Sequence, residues 1–272
     1  MDNNIKIGDI VTRKSYGGDI YFTVEEISLK RDGEKVCILR GVTYRIIADA
    51  KAVDLEKQDT RKVLEEVRRE FIASARNAYR RSVPVYRPAF LWGRVRAARV
   101  LHIDGSKDFL YKSFDYYKGA GVAIVGKYAS EKDQPLVVRE YLEYYRPDIL
   151  VLTGHDSFKK NADKQNINSY ANSRYFIEAV REARKYQPDF DKLCIVAGAC
   201  QSYYEAIMSA GANFASSPGR ILIHALDPAT VSQKVALTDE RKLVTPQEVA
   251  ALTSSGEKGI WGIDTRGHLR WR

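Results

Sequence analysis

A cysteine and a histidine follow two strongly apolar segments, and together they could perform nucleophilic catalysis. Cys200 comes shortly after the segment 193–197, and His155 comes shortly after the segment 149–153. A thiol and an imidazole placed at the ends of strands are typical of cysteine hydrolases, in which sulfur attacks a carbonyl carbon. The sequence therefore predicts a cysteine peptidase.

Beyond Arg96, short apolar segments alternate with amphipathic helices, which predicts a mainly parallel sheet with helices on both faces. The predicted strands are 100–103, 121–125, 149–154, 193–197 and 221–225. Neighbouring strands lie about 4.8 Å apart, so a pairing of the third with the fourth would bring His155 and Cys200 into one crevice at the carboxyl edge. A helix predicted over 201–210 would begin at Cys200, where its N–H groups would stabilise a thiolate and an oxyanion.

The first 95 residues have a different pattern. Short alternating segments are separated by the turn signals Gly17-Gly18 and Arg31-Asp32-Gly33, as in a small SH3-like β-barrel. Apolar residues then recur every four positions from Val63 to Phe71, which predicts a helix with one apolar face. The predicted parts are an SH3-like barrel over 1–50, a basic helical linker over 51–95 and an α/β domain over 96–272.

Composition narrows the range of partners and cofactors. The net charge of +9 comes largely from the stretch 61–99, and the barrel itself is not especially basic, so we expect protein docking rather than nucleic-acid binding. Three cysteines without metal-ligand spacing predict reduced thiols and no metal. The sequence contains no nucleotide-binding motif, so we expect no cofactor. Without an apolar run long enough for a bilayer or a signal peptide, we expect a soluble intracellular protein that binds no membrane.

Longer stretches around both residues resemble known peptidases. The two apolar strands, one ending at His and the other at Ala-Cys, are similar to those of the caspase, clostripain, gingipain and separase group, which implies a caspase-like α/β domain. The stretches 147–156, 197–202 and 215–220 resemble the YabG family of sporulation-specific proteases. This second resemblance extends over nearly the whole chain, including the N-terminal barrel.

The resemblance implies an endopeptidase that cuts spore-coat and cortex-associated proteins after arginine. It places the protein in the mother-cell cytoplasm, associated with the forming spore coat. It also implies that Cys200 is the nucleophile and that His155 is the general base. The role of the barrel and the oligomeric state stay open.

Two positions depart from the wider peptidase group. Asp156 follows His155 where those enzymes usually have a glycine whose N–H binds the oxyanion, and Gly198 stands where some of them have an arginine-binding aspartate. The carboxylate for an arginine side chain must then come from elsewhere. The candidate residues for oxyanion and substrate binding are Gly154, Asp156, Asp104 and Asp227.

Two other functions remain open at this point. A class I amidotransferase-like hydrolase would use Cys200 with His224 as the base, although Ser202 replaces the second glycine of its nucleophile motif. A non-enzymatic scaffold for coat assembly would explain the positive charge but would leave Cys200 and His155 without a role. If the chain is a peptidase, we further expect self-cleavage in the linker at Arg68-Arg69 or Arg80-Arg81.

Overall fold

The computed structural model describes residues 4–30, 33–82, 95–96 and 98–271, with side chains except those of 74–82 and 95. The N-terminal part folds into five strands: β1 (Ile10–Arg13), β2 (Phe22–Leu29), β3 (Lys35–Gly41), β4 (Ile47–Lys51) and β5 (Leu55–Lys57). They form one antiparallel sheet in the order β4-β3-β2-β1-β5. Because β5 follows residue 50, this sheet continues beyond the predicted barrel boundary.

Local sequence explains the first hairpin of this sheet. Gly17 and Gly18 both have positive φ, at 68° and 72°, a conformation that glycine adopts without steric cost. The predicted turn between β1 and β2 is therefore confirmed, whereas Arg31 and Asp32 of the second turn lie outside the described residues.

The helix α1 (Thr60–Ser82) follows the sheet. Its buried residues Val63, Val67 and Phe71 belong to the core beneath the large sheet, which confirms the predicted apolar face. Arg68-Arg69 lies within this helix. The side chains of Arg80-Arg81, and residues 83–94 at the end of the predicted linker, lie outside the described part of the chain.

The rest of the chain forms an α/β unit. Its helices are α2 (Lys107–Gly119), α3 (Gln134–Tyr145), α4 (Ser173–Tyr186), α5 (Tyr204–Ser209), α6 (Asp227–Leu237), α7 (Pro246–Leu252) and α8 (Gly256–Gly259). Its strands are β6 (Val95–Arg96), β7 (Arg99–Asp104), β8 (Ala123–Tyr128), β9 (Ile149–Thr153), β10 (Cys194–Ala197), β11 (Phe214–Ser216), β12 (Leu243–Val244), β13 (Ile260–Gly262), β14 (Thr265–Arg266) and β15 (Arg270–Trp271).

Six of these strands form the large sheet, in the order β13-β11-β10-β9-β7-β8. The five from β11 to β8 are parallel, and β13 is antiparallel at the edge. Successive residues of β9 point to opposite faces: Val151 packs in the core on one side, and Leu150 and Leu152 pack in the core on the other. The predicted sheet with both faces covered is therefore confirmed.

Two local predictions are wrong. Residues 221–225 form no strand of the sheet, because β11 takes the position beside β10, and His224 instead forms an isolated antiparallel bridge with Tyr44. The helix predicted over 201–210 begins only at Tyr204. Gln201 has a φ of 55°, which a right-handed helix does not allow, so the turn after Cys200 delays the helix.

None of the described helices combines the length and the apolar character that a membrane span requires.

Candidate active site

The sheet brings the two predicted catalytic residues to neighbouring strand ends. Strands β9 and β10 pair in parallel, with Leu152 opposite Ala197, and His155 and Cys200 follow these ends. The Thr153 hydroxyl donates to the Gly198 carbonyl at 3.0 Å and ties the two turns together. The expected adjacency of the two strands is confirmed.

The Cys200 thiol is fully buried. Its sulfur accepts a hydrogen bond from the Ile223 N–H at 3.0 Å, and burial raises the pKa of the thiol to about 12. Because α5 begins at Tyr204, its N-terminus does not lie at the sulfur. The expectation that a helix N-terminus there would stabilise the thiolate is wrong.

His155 is also buried, and its ring stacks on Phe109 at a centroid distance of 5.2 Å. Its backbone N–H donates to Glu131 Oε1 at 2.7 Å, and its Nδ1 lies 3.0 Å from the Arg40 guanidinium. A guanidinium can only donate, so Nδ1 accepts and Nε2 carries the proton of the neutral ring. Burial lowers the pKa of His155, and the Arg40 charge acts in the same direction, although Glu131 opposes them.

No hydrogen bond joins Cys200 to His155 among the described residues; Arg45 of the N-terminal sheet lies between them instead. The backbone N–H groups of Cys200 and of Asp156 both donate to the Arg45 carbonyl oxygen, each at 3.2 Å. Two convergent N–H groups are the arrangement that stabilises negative charge on a carbonyl oxygen. The aspartate that replaces the usual glycine therefore still presents its N–H at this point.

The Asp156 carboxylate is used elsewhere. Its oxygens accept from the backbone N–H groups of Ser157 and Asn172 at 2.8 and 2.7 Å, and from the hydroxyls of Ser173 and Ser202. Burial raises the pKa of this carboxyl group to about 6. The side chain anchors the loops behind the site, while its backbone faces Arg45.

Asp104, at the end of β7, is the predicted carboxylate that meets an arginine side chain. The Arg45 guanidinium binds its two oxygens at 3.0 and 3.1 Å, and both side chains are fully buried. The same guanidinium donates to the carbonyls of Ala225 and Gly154. Although burial opposes the charge, Arg45 and His102 hold the pKa of Asp104 below its ordinary value. This set of acceptors is a pocket complementary to arginine.

Two further candidate residues have other partners. The Asp227 carboxylate accepts from the backbone N–H groups of Ser254 and Ser255 at 2.8 and 3.0 Å. The His224 ring packs on Phe71, and its Nδ1 accepts from the Leu226 N–H at 3.3 Å. None of the contacts described for His224 includes the Cys200 thiol.

Sequence reasoning missed Glu131, Arg40 and Arg45. Glu131 had a usable signal, because it comes three residues after the end of β8 at the same carboxyl edge. A side chain at Gly154 would overlap the Glu131 carboxylate, so this carboxylate would have to shift if residue 154 were not glycine. The two arginines had no local signal, because they reach the site from another sheet.

A cavity of about 690 Å³ opens beside His155. The N-terminal sheet lines it with Arg40 and Val42, and α2 lines it with Phe109 and Lys112. This cavity gives solvent a route to the imidazole.

Sequence comparisons with known proteins match nearly the whole chain. The family model described as YabG peptidase U57 matches residues 6–272. The sporulation-specific protease YabG of Bacillus subtilis (strain 168) is 39% identical over 282 aligned positions, which cover 97% of this chain and 96% of that protein. Among solved structures, the isolated REC domain of RcsB from Salmonella enterica serovar Typhimurium matches with a TM-score of 0.36 and 14% identity, over 58% of this chain and 100% of that one. On the family match and the identity to YabG, the chain belongs to the YabG peptidase family, U57.

Proposed function

We propose that this protein is a cysteine endopeptidase that cuts after arginine, with Cys200 as nucleophile and His155 as general base. One observation supports it above all. Arg45 lies at the strand ends, where its carbonyl oxygen accepts hydrogen bonds from two N–H groups and its guanidinium pairs with Asp104. A peptide substrate bound in the same way would present the carbonyl carbon of its arginine to the Cys200 sulfur.

The proposed reaction has two steps. Once Arg40 no longer donates to Nδ1 of His155, that nitrogen takes the thiol proton, and the sulfur attacks the carbonyl carbon while the N–H groups of Cys200 and Asp156 stabilise the oxyanion. The C–N bond breaks, and His155 returns the proton to the leaving amine. Water then hydrolyses the thioester, with His155 again acting as base, and releases a peptide that ends in arginine.

The biological setting is part of the proposal. Because the B. subtilis relative is named a sporulation-specific protease, we place the activity in sporulation, with spore-coat and cortex-associated proteins as substrates and the mother cell as its compartment. The caspase-like assignment of the large domain and the SH3-like assignment of the N-terminal sheet belong to the same proposal. Self-cleavage at Arg68-Arg69 would require local unfolding of α1, since a peptidase binds its substrate in an extended form.

A digest tests the proposal directly. Wild type is expected to cut a denatured protein after its arginines and to leave its lysines uncut, because the planar guanidinium fits the two Asp104 oxygens and an ammonium does not. Cys200→Ala is expected to leave the substrate intact. The cut sites are read by mass spectrometry. Equal cleavage by Cys200→Ala, or cuts without regard to arginine, would contradict the proposal.

His224, the base of the amidotransferase alternative, is expected to affect stability rather than catalysis. Burial, with Arg45 and Lys112 adding to it, lowers the pKa of His224 from 6.5 to about 4. The unfolded chain therefore binds the proton more readily, and stability is lost as the pH falls from 6.5 towards 4. The loss from this residue is about 3 kcal/mol.

The variant His224→Asn keeps an acceptor for the Leu226 N–H but does not titrate. Urea unfolding at pH 7 and at pH 4 is expected to show a smaller acid-induced loss of stability in this variant than in the wild type. An equal loss in both proteins would show that His224 is not the titrating group.

A further inference from the structure

Residues 43–47, which comprise the end of the β3–β4 connection and the first residue of β4, lie along one wall of the site as an added strand. The Arg45 N–H donates to the Ile223 carbonyl at 3.1 Å, and the Ala225 N–H donates to the Thr43 carbonyl at 3.0 Å. Tyr44 and His224 form the antiparallel bridge between these two bonds. Backbone pairing of this kind is how an extended peptide binds to an exposed edge.

The opposite wall holds the same segment. Ile46 forms a parallel bridge with Asp156, and the Ile47 N–H donates to the Asp156 carbonyl at 3.2 Å. The Arg45 carbonyl oxygen lies between the two walls, on the N–H groups of Cys200 and Asp156. The peptide bond between Arg45 and Ile46 therefore lies where a cleavable bond would lie.

The side chains complete the likeness to a substrate. The Arg45 side chain is fully buried and fills the pocket formed by Asp104 and the carbonyls of Ala225 and Gly154. Five residues earlier, Arg40 donates to Nδ1 of His155. One hairpin thus fills the arginine pocket with Arg45 and, through Arg40, donates a hydrogen bond to the Nδ1 lone pair of His155, the proposed base.

The hairpin connection is itself held in shape. The Gly41 N–H donates to the Ile46 carbonyl at 2.9 Å. A side chain at Gly41 would overlap the Tyr44 carbonyl, so the turn is tight as well as closed. The connection is covalently attached and already ordered. It therefore loses less entropy on binding to the cleft than a free peptide does.

We propose that residues 43–47 are a built-in substrate mimic, which closes the peptide-binding cleft of the folded protein until an arginine-containing chain displaces it. The inference rests on the proposed function, since it takes the cleft to be the substrate site. It identifies Asp104, with the Ile223–Ala225 edge and the Asp156 backbone, as the part of the site that selects an extended peptide with arginine before the cut bond.

Ligand binding tests the inference without catalysis. In a Cys200→Ala background, agmatine supplies a guanidinium and putrescine serves as the control without one. Adding Arg45→Gln removes the guanidinium from the pocket and leaves Asp104 with the Ser106 N–H and His102 but without its cationic partner. Saturating agmatine is therefore expected to raise the Tm of this double variant by at least about 2 °C. The Cys200→Ala protein should not respond. An equal response in both proteins, or none in the folded double variant, would overturn the inference.

An activity measurement provides the second test. Towards a short peptide amide ending in arginine, Arg45→Gln is expected to have a kcat/KM at least about tenfold above the wild-type value, because no side chain competes for the pocket. Arg45→Lys keeps a buried cation and should lie between the two, since an ammonium replaces the bidentate contact by a single point charge. If Arg45→Gln does not fold, the test depends on Arg45→Lys: a kcat/KM above the wild-type value supports the inference, and an unchanged value contradicts it.

The possible failures are distinguishable. If the wild type cuts after arginine in a Cys200-dependent way and neither Arg45 variant is faster, the mimic is refuted and the peptidase stands. If no variant shows Cys200-dependent cleavage, the proposed function itself is wrong. A new N-terminus at Ile46 in the wild type, absent from Cys200→Ala, would show the segment bound in the substrate register and would support the inference.

Discussion

The His155→Ala variant is expected to hydrolyse an arginine-containing peptide with a kcat/KM lower than that of the wild type by a factor of about 10²–10⁴, the usual contribution of a general base. The cause is the loss of the proton acceptor: burial raises the pKa of the Cys200 thiol to about 12, so the sulfur depends on a neighbouring base to become a nucleophile. Steady-state kinetics with a fluorogenic arginyl amide provide the measurement.

Two controls separate chemistry from folding in this experiment. His155→Ala leaves a gap beside Phe109, which added imidazole can fill, so partial rescue by imidazole is expected if the ring acts as a base. His224→Asn should retain most of the wild-type kcat/KM. If His224→Asn is the inactive variant and His155→Ala is active, the amidotransferase alternative replaces the peptidase.

Loss of the Asp104 charge is expected to have the largest effect on stability. Asp104→Asn leaves the Arg45 guanidinium buried without a counter-charge, and breaking a buried pair in this way costs about 3–5 kcal/mol. Urea unfolding at pH 7 measures this loss. Arg45→Gln together with Asp104→Asn removes both charges, so the double variant is expected to be more stable than the sum of the single changes predicts.

The same pair predicts the response to acid. Because the folded protein holds the pKa of Asp104 below its ordinary value of 3.8, the pair stabilises the fold above that pH and loses its contribution as the pH falls further. Asp104→Asn should lack this part of the acid dependence. It should also cut poorly after arginine; an unchanged kcat/KM for arginyl substrates would exclude Asp104 from the specificity pocket.

The sequence predicted the parts of the site that depend on one strand and the turn after it. Segments 149–152 and 193–197 are apolar throughout, as is typical of strands covered on both faces, and each leads into small or polar residues. His155 and Cys200 could therefore be placed at one edge. The apolar run 221–225 misled the same reasoning, because it pairs with residues of the N-terminal sheet and not with β10.

The parts of the site that the sequence did not predict depend on contacts between segments that are distant in the chain. Nothing in the sequence around Arg45 distinguishes it from a surface arginine, yet it is fully buried against Asp104, which lies 59 positions later. The helix after Cys200 was misplaced for a different reason: Gln201 has a positive φ, which is unusual for glutamine. Propensity and periodicity do not report such positions.

The hydrogen bond from the Gly41 N–H to the Ile46 carbonyl, at 2.9 Å, has a mechanical consequence. It joins the two ends of the connection that carries Arg45, and Arg40 lies immediately beside it, so the bond favours a common movement of these residues. We therefore expect displacement of the segment to free the His155 imidazole and the Asp104 pocket together. A partner that binds the N-terminal sheet and displaces this segment is therefore expected to activate the proposed enzyme without contacting His155 or Cys200.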